Sequence, residues 1–126
     1  MERSIIDTDV IIDYLRGNRK AVQFLKSFEG ELCVSAITIA ELYSGIKSDE
    51  EEKDLNYFLS LFTVYPVNNE IAKFGGSLRN KWHQSHGMGL ADALIAATAE
   101  MNDMKLISLN RKHFGMFDRL EVPYQK

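Results

Sequence analysis

Four short stretches of this chain are apolar enough to be buried, and each carries an oxygen-bearing side chain where a core would exclude one. The stretches are Ser4 to Ile12, with Asp7 and Asp9; Ala36 to Leu42, with Glu41; Gly89 to Ala97, with Asp92; and Leu106 to Asn110, which ends in an amide. A carboxylate taken out of water is unfavourable by several kcal/mol unless it is paired or meets a cation. Burying such acids separately makes little physical sense, whereas gathering them around one metal ion does. Hard divalent ions such as Mg²⁺ favour carboxylate and carbonyl oxygens, and the chain offers no comparable cluster of His or Cys. The fold therefore has to bring these stretches to one place.

The hydrophobic pattern supplies such a fold. Ser4 to Asp7 reads as a short buried strand, followed by a helix to about Leu15 that stops near Gly17-Asn18. Arg19 to Phe28 is an amphipathic helix, with Val22, Leu25 and Phe28 at helical spacing. Leu32 to Val34 is a strand, and Ser35 caps a helix from Ala36 to about Lys47. Glu52 to Phe62 is helical, Thr63 to Val67 a strand and Asn69 to about Ser85 a long helix, with Gly87 and Gly89 marking a loop. Leu90 to Met101 is an almost wholly apolar, hence central, helix; Lys105 to Leu109 is a strand, and a last short strand is expected from Val122. This order predicts a single α/β domain over residues 1–126, with a central parallel sheet flanked by helices on both faces. Such sheets bind ligands beyond the carboxyl ends of their strands. Asp7 and Asp9 follow the first strand, Asn110 follows a later one, Asp92 lies in the first turn of the central helix, and Glu41 sits in the helix after the second strand. All five can meet at one edge.

Composition narrows the function. A chain of 126 residues can bury a core without disulfides, and its single Cys33, in the apolar run Leu32-Cys33-Val34, reads as a buried structural thiol that suits a reducing cytoplasm. Met1-Glu2-Arg3-Ser4 leads into a strand without a signal pattern, and no apolar run reaches the roughly 18 residues that span a bilayer, so a cytoplasmic protein is expected. The net charge of −3 argues against a general nucleic-acid coating protein. Residues 1–63 hold 7 Lys/Arg against 12 Asp/Glu, and residues 64–126 hold 8 against 6. Much of the acidic excess is Asp49-Glu50-Glu51-Glu52-Lys53-Asp54, which reads as the solvated first turn of a helix. In the more basic half Arg79, Lys81, Arg111 and Lys112, with His83, His86 and His113, are scattered groups that can meet phosphates.

Each site residue also has a purely local reading. Asp7 or Asp9 can cap the helix that begins near Val10, and Asp92 can complement its helix dipole. Glu41 points away from the stripe of Ile39, Leu42, Tyr43 and Ile46, so taken alone it reads as solvated. Thr8 hydrogen-bonds a neighbouring backbone or positions a ligand, Asp13 reads as a surface residue one turn after Asp9, and the histidines read as surface or core polar groups. Asn110 opens a turn-like segment. The functional reading rests on the joint pattern, because every local explanation would otherwise have to hold at once.

Taken in order, Asp7-Thr8-Asp9-Val10, then Ser35-Ala36-Ile37-Thr38-Ile39-Ala40-Glu41-Leu42-Tyr43-Ser44-Gly45, then Ala91-Asp92-Ala93-Leu94-Ile95-Ala96-Ala97-Thr98-Ala99, then Ser108-Leu109-Asn110-Arg111-Lys112-His113-Phe114 resemble the PIN-domain ribonucleases. The resemblance is closest to the VapC-type toxins of bacterial and archaeal toxin–antitoxin pairs, and it spans nearly the whole chain. It implies a PIN fold, Mg²⁺- or Mn²⁺-dependent endoribonuclease activity, inhibition by a small VapB-like antitoxin and a homodimer. Asp7, Glu41 and Asp92 match the three acidic positions of the family site, Asp9 falls where Asp or Asn is found, and Asn110 falls where many members carry a fourth acid. An amide ligates through oxygen but brings no charge, so a second metal ion would bind weakly or only with the RNA phosphate present. The implied roles are Asp7 and Asp92 as direct ligands with Asp9 beside them, Glu41 binding metal or orienting the attacking water, and Asn110 holding a ligand water or a phosphate oxygen. Hydrolysis by water would leave a 5′-phosphate and a 3′-hydroxyl. Arg79, Lys81, Arg111 and Lys112 are expected to offset the repulsion between RNA and an acidic pocket. Two other readings stay open. The Asp7-Thr8-Asp9 triplet also resembles aspartate-nucleophile phosphatases, although no Gly-Thr follows Asp9 and the length leaves little room for a cap domain; alternatively, the acids serve a non-catalytic metal-binding interaction module.

Overall fold

Ser4, Ile5 and Ile6 are all withdrawn from solvent, which requires a strand covered on both faces. In the computed structural model, which describes residues 2–125, they belong to β1 (Arg3–Ile6), the middle strand of a five-stranded sheet. The others are β2 (Glu31–Ser35), β3 (Thr63–Tyr65), β4 (Lys105–Ile107) and β5 (Leu120–Glu121), in the spatial order β3-β2-β1-β4-β5. Every neighbouring pair is parallel, with Ser4 opposite both Leu32 and Lys105. Among the described residues seven helices connect them: α1 (Thr8–Leu15), α2 (Arg19–Lys26), α3 (Ala36–Ser44), α4 (Asp49–Leu59), α5 (Asn69–His86), α6 (Leu90–Met101) and α7 (Arg111–Phe114).

Alternation along the strands sorts the core into two layers. Ile5, Cys33 and Leu106 pack on one face with Ile71 and Leu78 of α5 and the alanines of α6. Ile6, Val34 and Ile107 point to the other face, against Val10, Ile11, Leu42, Leu55 and Leu59 from α1, α3 and α4. Helices on both faces of a parallel sheet are the predicted architecture. Cys33 is fully buried, and burial beside Glu31 pushes its thiol up to about 12, so it is no nucleophile at neutral pH.

Small side chains let α5 and α6 approach closely. A Cβ on Gly75 would lie 2.6 Å from Leu94 Cδ2 and 3.2 Å from Leu94 Cα. Gly75→Val should therefore destabilise the chain by roughly 2 kcal/mol through overpacking, measured as a fall in the urea midpoint at unchanged slope; an unmoved midpoint would mean that the helices can separate without loss.

Several element ends differ from the sequence reading. Ser48 caps α4 by accepting from Glu51 N, so the helix starts at Asp49 and not Glu52, with the acidic run in its first turn as expected. Helix α3 closes at Ser44 with Gly45 as its cap, short of Lys47. The last strand is Leu120–Glu121, ending before Val122, and Asn110 caps the short helix α7. Asp13 is not a surface residue: it is buried, and Tyr124 Oη donates to its Oδ2 at 2.8 Å as the carboxyl-terminal segment crosses α1. Asp13 lies one helical turn beyond Asp9 on the same face of α1, a spacing that could have signalled this. No helix among the described residues is long and apolar enough to cross a membrane.

Candidate active site

The chain builds outward from β1 in two directions, to β2 and β3 on one side and to β4 and β5 on the other. The loops leaving β1 and β4 at their carboxyl ends part there, the position at which a parallel sheet of this order offers a ligand crevice. Asp7 follows β1 directly, and its backbone N–H donates to Ile107 O of β4 at 2.8 Å, so the crevice is stitched at its base. As the N-cap of α1, Asp7 accepts from Thr8 N at 2.8 Å through Oδ1 and from Ser108 Oγ at 2.7 Å through Oδ2. Its side chain is thus fixed from two strands.

Asp7 is only 5% exposed. Burial, then the charge of Asp9 and more weakly that of Asp92, push its carboxyl up to about 7, against the opposing hydrogen bonds from Ser108 and Thr8 N. Asp9 is also raised, chiefly by burial. Its Oδ2 accepts from Leu109 N at 3.1 Å and lies 3.4 Å from Ser108 Oγ, while its Oδ1 is buried with no hydrogen-bond partner among the described residues. The single Ser108 proton goes to Asp7, the nearer acceptor, and the same oxygen accepts from Asn110 N at 3.0 Å.

Glu41 reaches the crevice from α3. Although exposed, it is not free in solvent, because its Oε1 accepts from Thr8 Oγ1 at 2.7 Å. Asp92 sits in the first turn of α6, whose cap Gly89 makes no side-chain hydrogen bond, so the carboxylate faces the positive end of that helix. Its Oδ2 lies 2.7 Å from His113 Nδ1. Asn110 Oδ1 accepts from His113 N at 3.0 Å, and Asn110 Nδ2 lies 2.8 Å from the same Nδ1. One ring nitrogen cannot both donate and accept, and the carboxylate can only accept. A proton on Nδ1 therefore serves Asp92 and leaves the Asn110 amide N–H available.

The structure thus brings Asp7, Asp9, Asp92, Glu41 and Asn110 to one sheet edge. Sequence reasoning missed two partners there. Ser108, fully buried at the end of β4, links Asp7 to Asp9, and its signal was a hydroxyl in an otherwise apolar strand. His113 belongs to the site rather than to the surface or core, and its signal was a position three residues beyond Asn110, one turn of helix. His83 and His86 stay at the end of α5, where His83 Nδ1 meets Met88 O at 2.9 Å. Arg111 and Lys112 are exposed on α7 immediately after Asn110, with Lys112 Cε near Gly87. Arg79 and Lys81 are exposed on α5, Lys81 Nζ lying 5.0 Å over the Trp82 ring.

Among the described residues, no three Asp, Glu, His or Cys side chains already stand together closely enough to hold a metal ion. Each acid is engaged by a hydroxyl, an imidazole or a backbone N–H. The donor chemistry nevertheless fits a hard divalent cation: all the acids offer oxygen, Asp9 Oδ1 is buried and unsatisfied, and Asp7 bears a charge that its surroundings disfavour. A cavity at the opposite end of the sheet mixes basic and acidic groups, with Lys105 3.1 Å from both Glu2 and Glu121 and Arg119 paired with Asp103, unlike the wholly acidic set here. As for covalent chemistry, both oxygens of Asp7 accept hydrogen bonds, a poor arrangement for a nucleophile.

The PIN domain family matches residues 4–121. A Mycobacterium tuberculosis protein named Ribonuclease VapC10 is 37% identical over 123 residues, covering 95% of this chain and 92% of the relative. Ribonuclease VapC19 of the same organism is 36% identical over 124 residues, covering 95% and 98%. Among solved structures, a toxin–antitoxin complex from Klebsiella pneumoniae superposes with a TM-score of 0.86 at 30% identity, covering 98% of this chain and 99% of that one. The chain belongs to the PIN domain family and, within it, to the VapC proteins.

Proposed function

We propose that this chain is an endoribonuclease that hydrolyses RNA phosphodiester bonds with Mg²⁺ or Mn²⁺, and that it acts as the toxin of a toxin–antitoxin pair. The observation that carries the proposal is that Asp92, from the first turn of α6, comes up to Asp7 and Asp9 after β1, where burial and these two neighbouring charges lift Asp7. Relatives named as VapC ribonucleases, and a solved neighbour that is a toxin–antitoxin complex, support the same reading.

Asp7, Asp9, Asp92 and Glu41 would hold the cation. When bound, it supplies a lowered pKa for a coordinated water and positive charge for the scissile phosphate. Glu41, the most exposed of the four, is placed to take a proton from the attacking water. His113 fixes the orientation of Asp92 through Nδ1. The Asn110 Oδ1 is occupied as a helix cap, so its Nδ2, a donor, suits a phosphate oxygen better than a metal ion. Arg111 and Lys112 would meet the flanking phosphates of a single strand or loop, with Arg79 and Lys81 further along it. Water attack releases a 5′-phosphate and a 3′-hydroxyl. A VapB-like antitoxin would block the site by placing an Arg against the carboxylates. Exposed apolar side chains, Leu15 on α1 and Tyr57 on α4, suit a homodimer.

The test is cleavage of total RNA by the purified chain with Mg²⁺ or Mn²⁺, followed by end-group analysis, beside Asp92→Asn. Expected are 5′-phosphate ends, a loss of about 100-fold or more in the variant, and growth arrest on expression that an antitoxin relieves. Wild-type cleavage rates in Asp92→Asn, or 2′,3′-cyclic phosphate ends, would sink the proposal.

A further inference from the structure

We infer that Thr8 is a positioning residue for Glu41, and that the hydroxyl chain from Thr38 through Thr8 to Glu41 sets how tightly the acidic site takes a divalent cation. The inference rests on the metal-dependent reading above and adds residues to it. Glu41 projects from an exposed position on α3, off the apolar stripe that seats that helix. A free glutamate there samples many rotamers, and fixing it costs side-chain entropy. Something must hold it over the crevice, and Thr8 Oγ1 does so at 2.7 Å.

Thr8 is a rigid anchor. It is 8% exposed, it occupies the first turn of α1 between Asp7 and Asp9, and its β-branched side chain is stiff at χ1. Behind it, Thr38 is fully buried, with its Oγ1 3.0 Å from Thr8 Oγ1. Thr8 has one proton to give. The Glu41 carboxylate is the shorter and charged acceptor, so Thr8 donates to Glu41 and accepts from Thr38. Each bond polarises the next, strengthening the hold on Oε1. That hold occupies Oε1 and leaves Oε2 without a hydrogen-bond partner among the described residues. The middle residue of the acidic triplet thereby joins the first motif to the second, two turns of chain that lie 33 positions apart.

The experiment is calorimetric titration of MnCl₂ into the full chain, without RNA, for the wild type, Thr8→Val, Thr8→Ser, Thr38→Val, Glu41→Gln and the double variant Thr8→Val/Glu41→Gln. Thr8→Val should weaken Mn²⁺ binding about 10-fold, the lower end of what losing a partner behind a metal ligand does, while Thr8→Ser stays within about 2-fold of wild type. Glu41→Gln should be affected at least as much, and the double variant no more than Glu41→Gln alone, because both remove one contribution. Thr8→Val binding like wild type, Thr8→Ser as weak as Thr8→Val, or losses that multiply in the double variant would overturn the inference. If Thr8→Val does not fold, Thr38→Val decides, with a loss of about 3-fold expected and none overturning it. A wild type that binds no Mn²⁺ rejects the metal-dependent reading and this inference together. Intact wild-type binding that ignores Thr8 rejects the inference alone.

Discussion

Asp7→Asn is expected to abolish RNA cleavage, by about 1000-fold or more, and at the same time to make the chain more stable at pH 8. The two effects share a cause. Burial and the neighbouring acids lift Asp7 to about 7 in the folded chain, whereas an unfolded chain has an ordinary aspartate near about 4. Between those values the folded state binds more protons than the unfolded one, so stability falls as pH rises, and the full penalty is present above about pH 7. Asp9 shares that penalty, which leaves a gain on the order of 2 kcal/mol for removing the charge at position 7. Asparagine keeps the local bonds, since its carbonyl can accept from Thr8 N and its amide can donate to Ser108 Oγ. Thermal unfolding at several pH values reads the result directly. The variant should lead at pH 8, its advantage should shrink as pH falls, and the curves should meet near pH 4. A variant no more stable than wild type at pH 8 would mean that the crevice does not disfavour the carboxylate, which removes the reason for a cation beside it.

Chelation should be equally decisive. EDTA is expected to stop cleavage completely and Mn²⁺ to restore it, because the acids alone neither activate water nor neutralise a phosphate. The same ion should stabilise the wild-type fold: at a free concentration 100 times Kd the gain is about 2.7 kcal/mol, on the order of 10 °C in Tm for a chain of this size. At pH 6 the proton on Asp7 competes with the metal, so Mn²⁺ binding should weaken by about 10-fold relative to pH 8. Asp7→Asn should show little of this stabilisation. Cleavage that survives EDTA, or an Mn²⁺ shift of equal size in the variant, would separate the acidic crevice from the chemistry.

The parts of this site that were legible in the sequence are those fixed by local pattern. Ser4 to Asp7 announces a strand because three consecutive residues are buried, and parallel-sheet topology then puts Asp7, Glu41, Asp92 and Asn110 at one edge whatever their side chains do. Partners set by packing across the chain were not legible. Ser108 meets Asp7 over 101 positions, and nothing in the run Leu106 to Asn110 says which way its hydroxyl points. His113 lies 21 positions from Asp92 on a helix of only 4 residues, too short to display a period. Asp13 was read as exposed because its cover is Tyr124, which arrives from the far end of the chain. Glu41 shows the limit most sharply: its exposure was read correctly, yet the hydroxyl that immobilises it lies on another helix.

The order in which the strands enter the sheet bears on how such a protein is made. Synthesis delivers β1, β2 and β3 first, and the wall of the crevice formed by β4, Ser108, Asn110 and His113 comes only after residue 104. A nascent chain that has not yet passed β3 therefore carries Asp7 and Glu41 without the groups that clamp Asp7 and orient Asp92. The acidic edge is assembled only when the late-made strand β4 docks beside the first-made one.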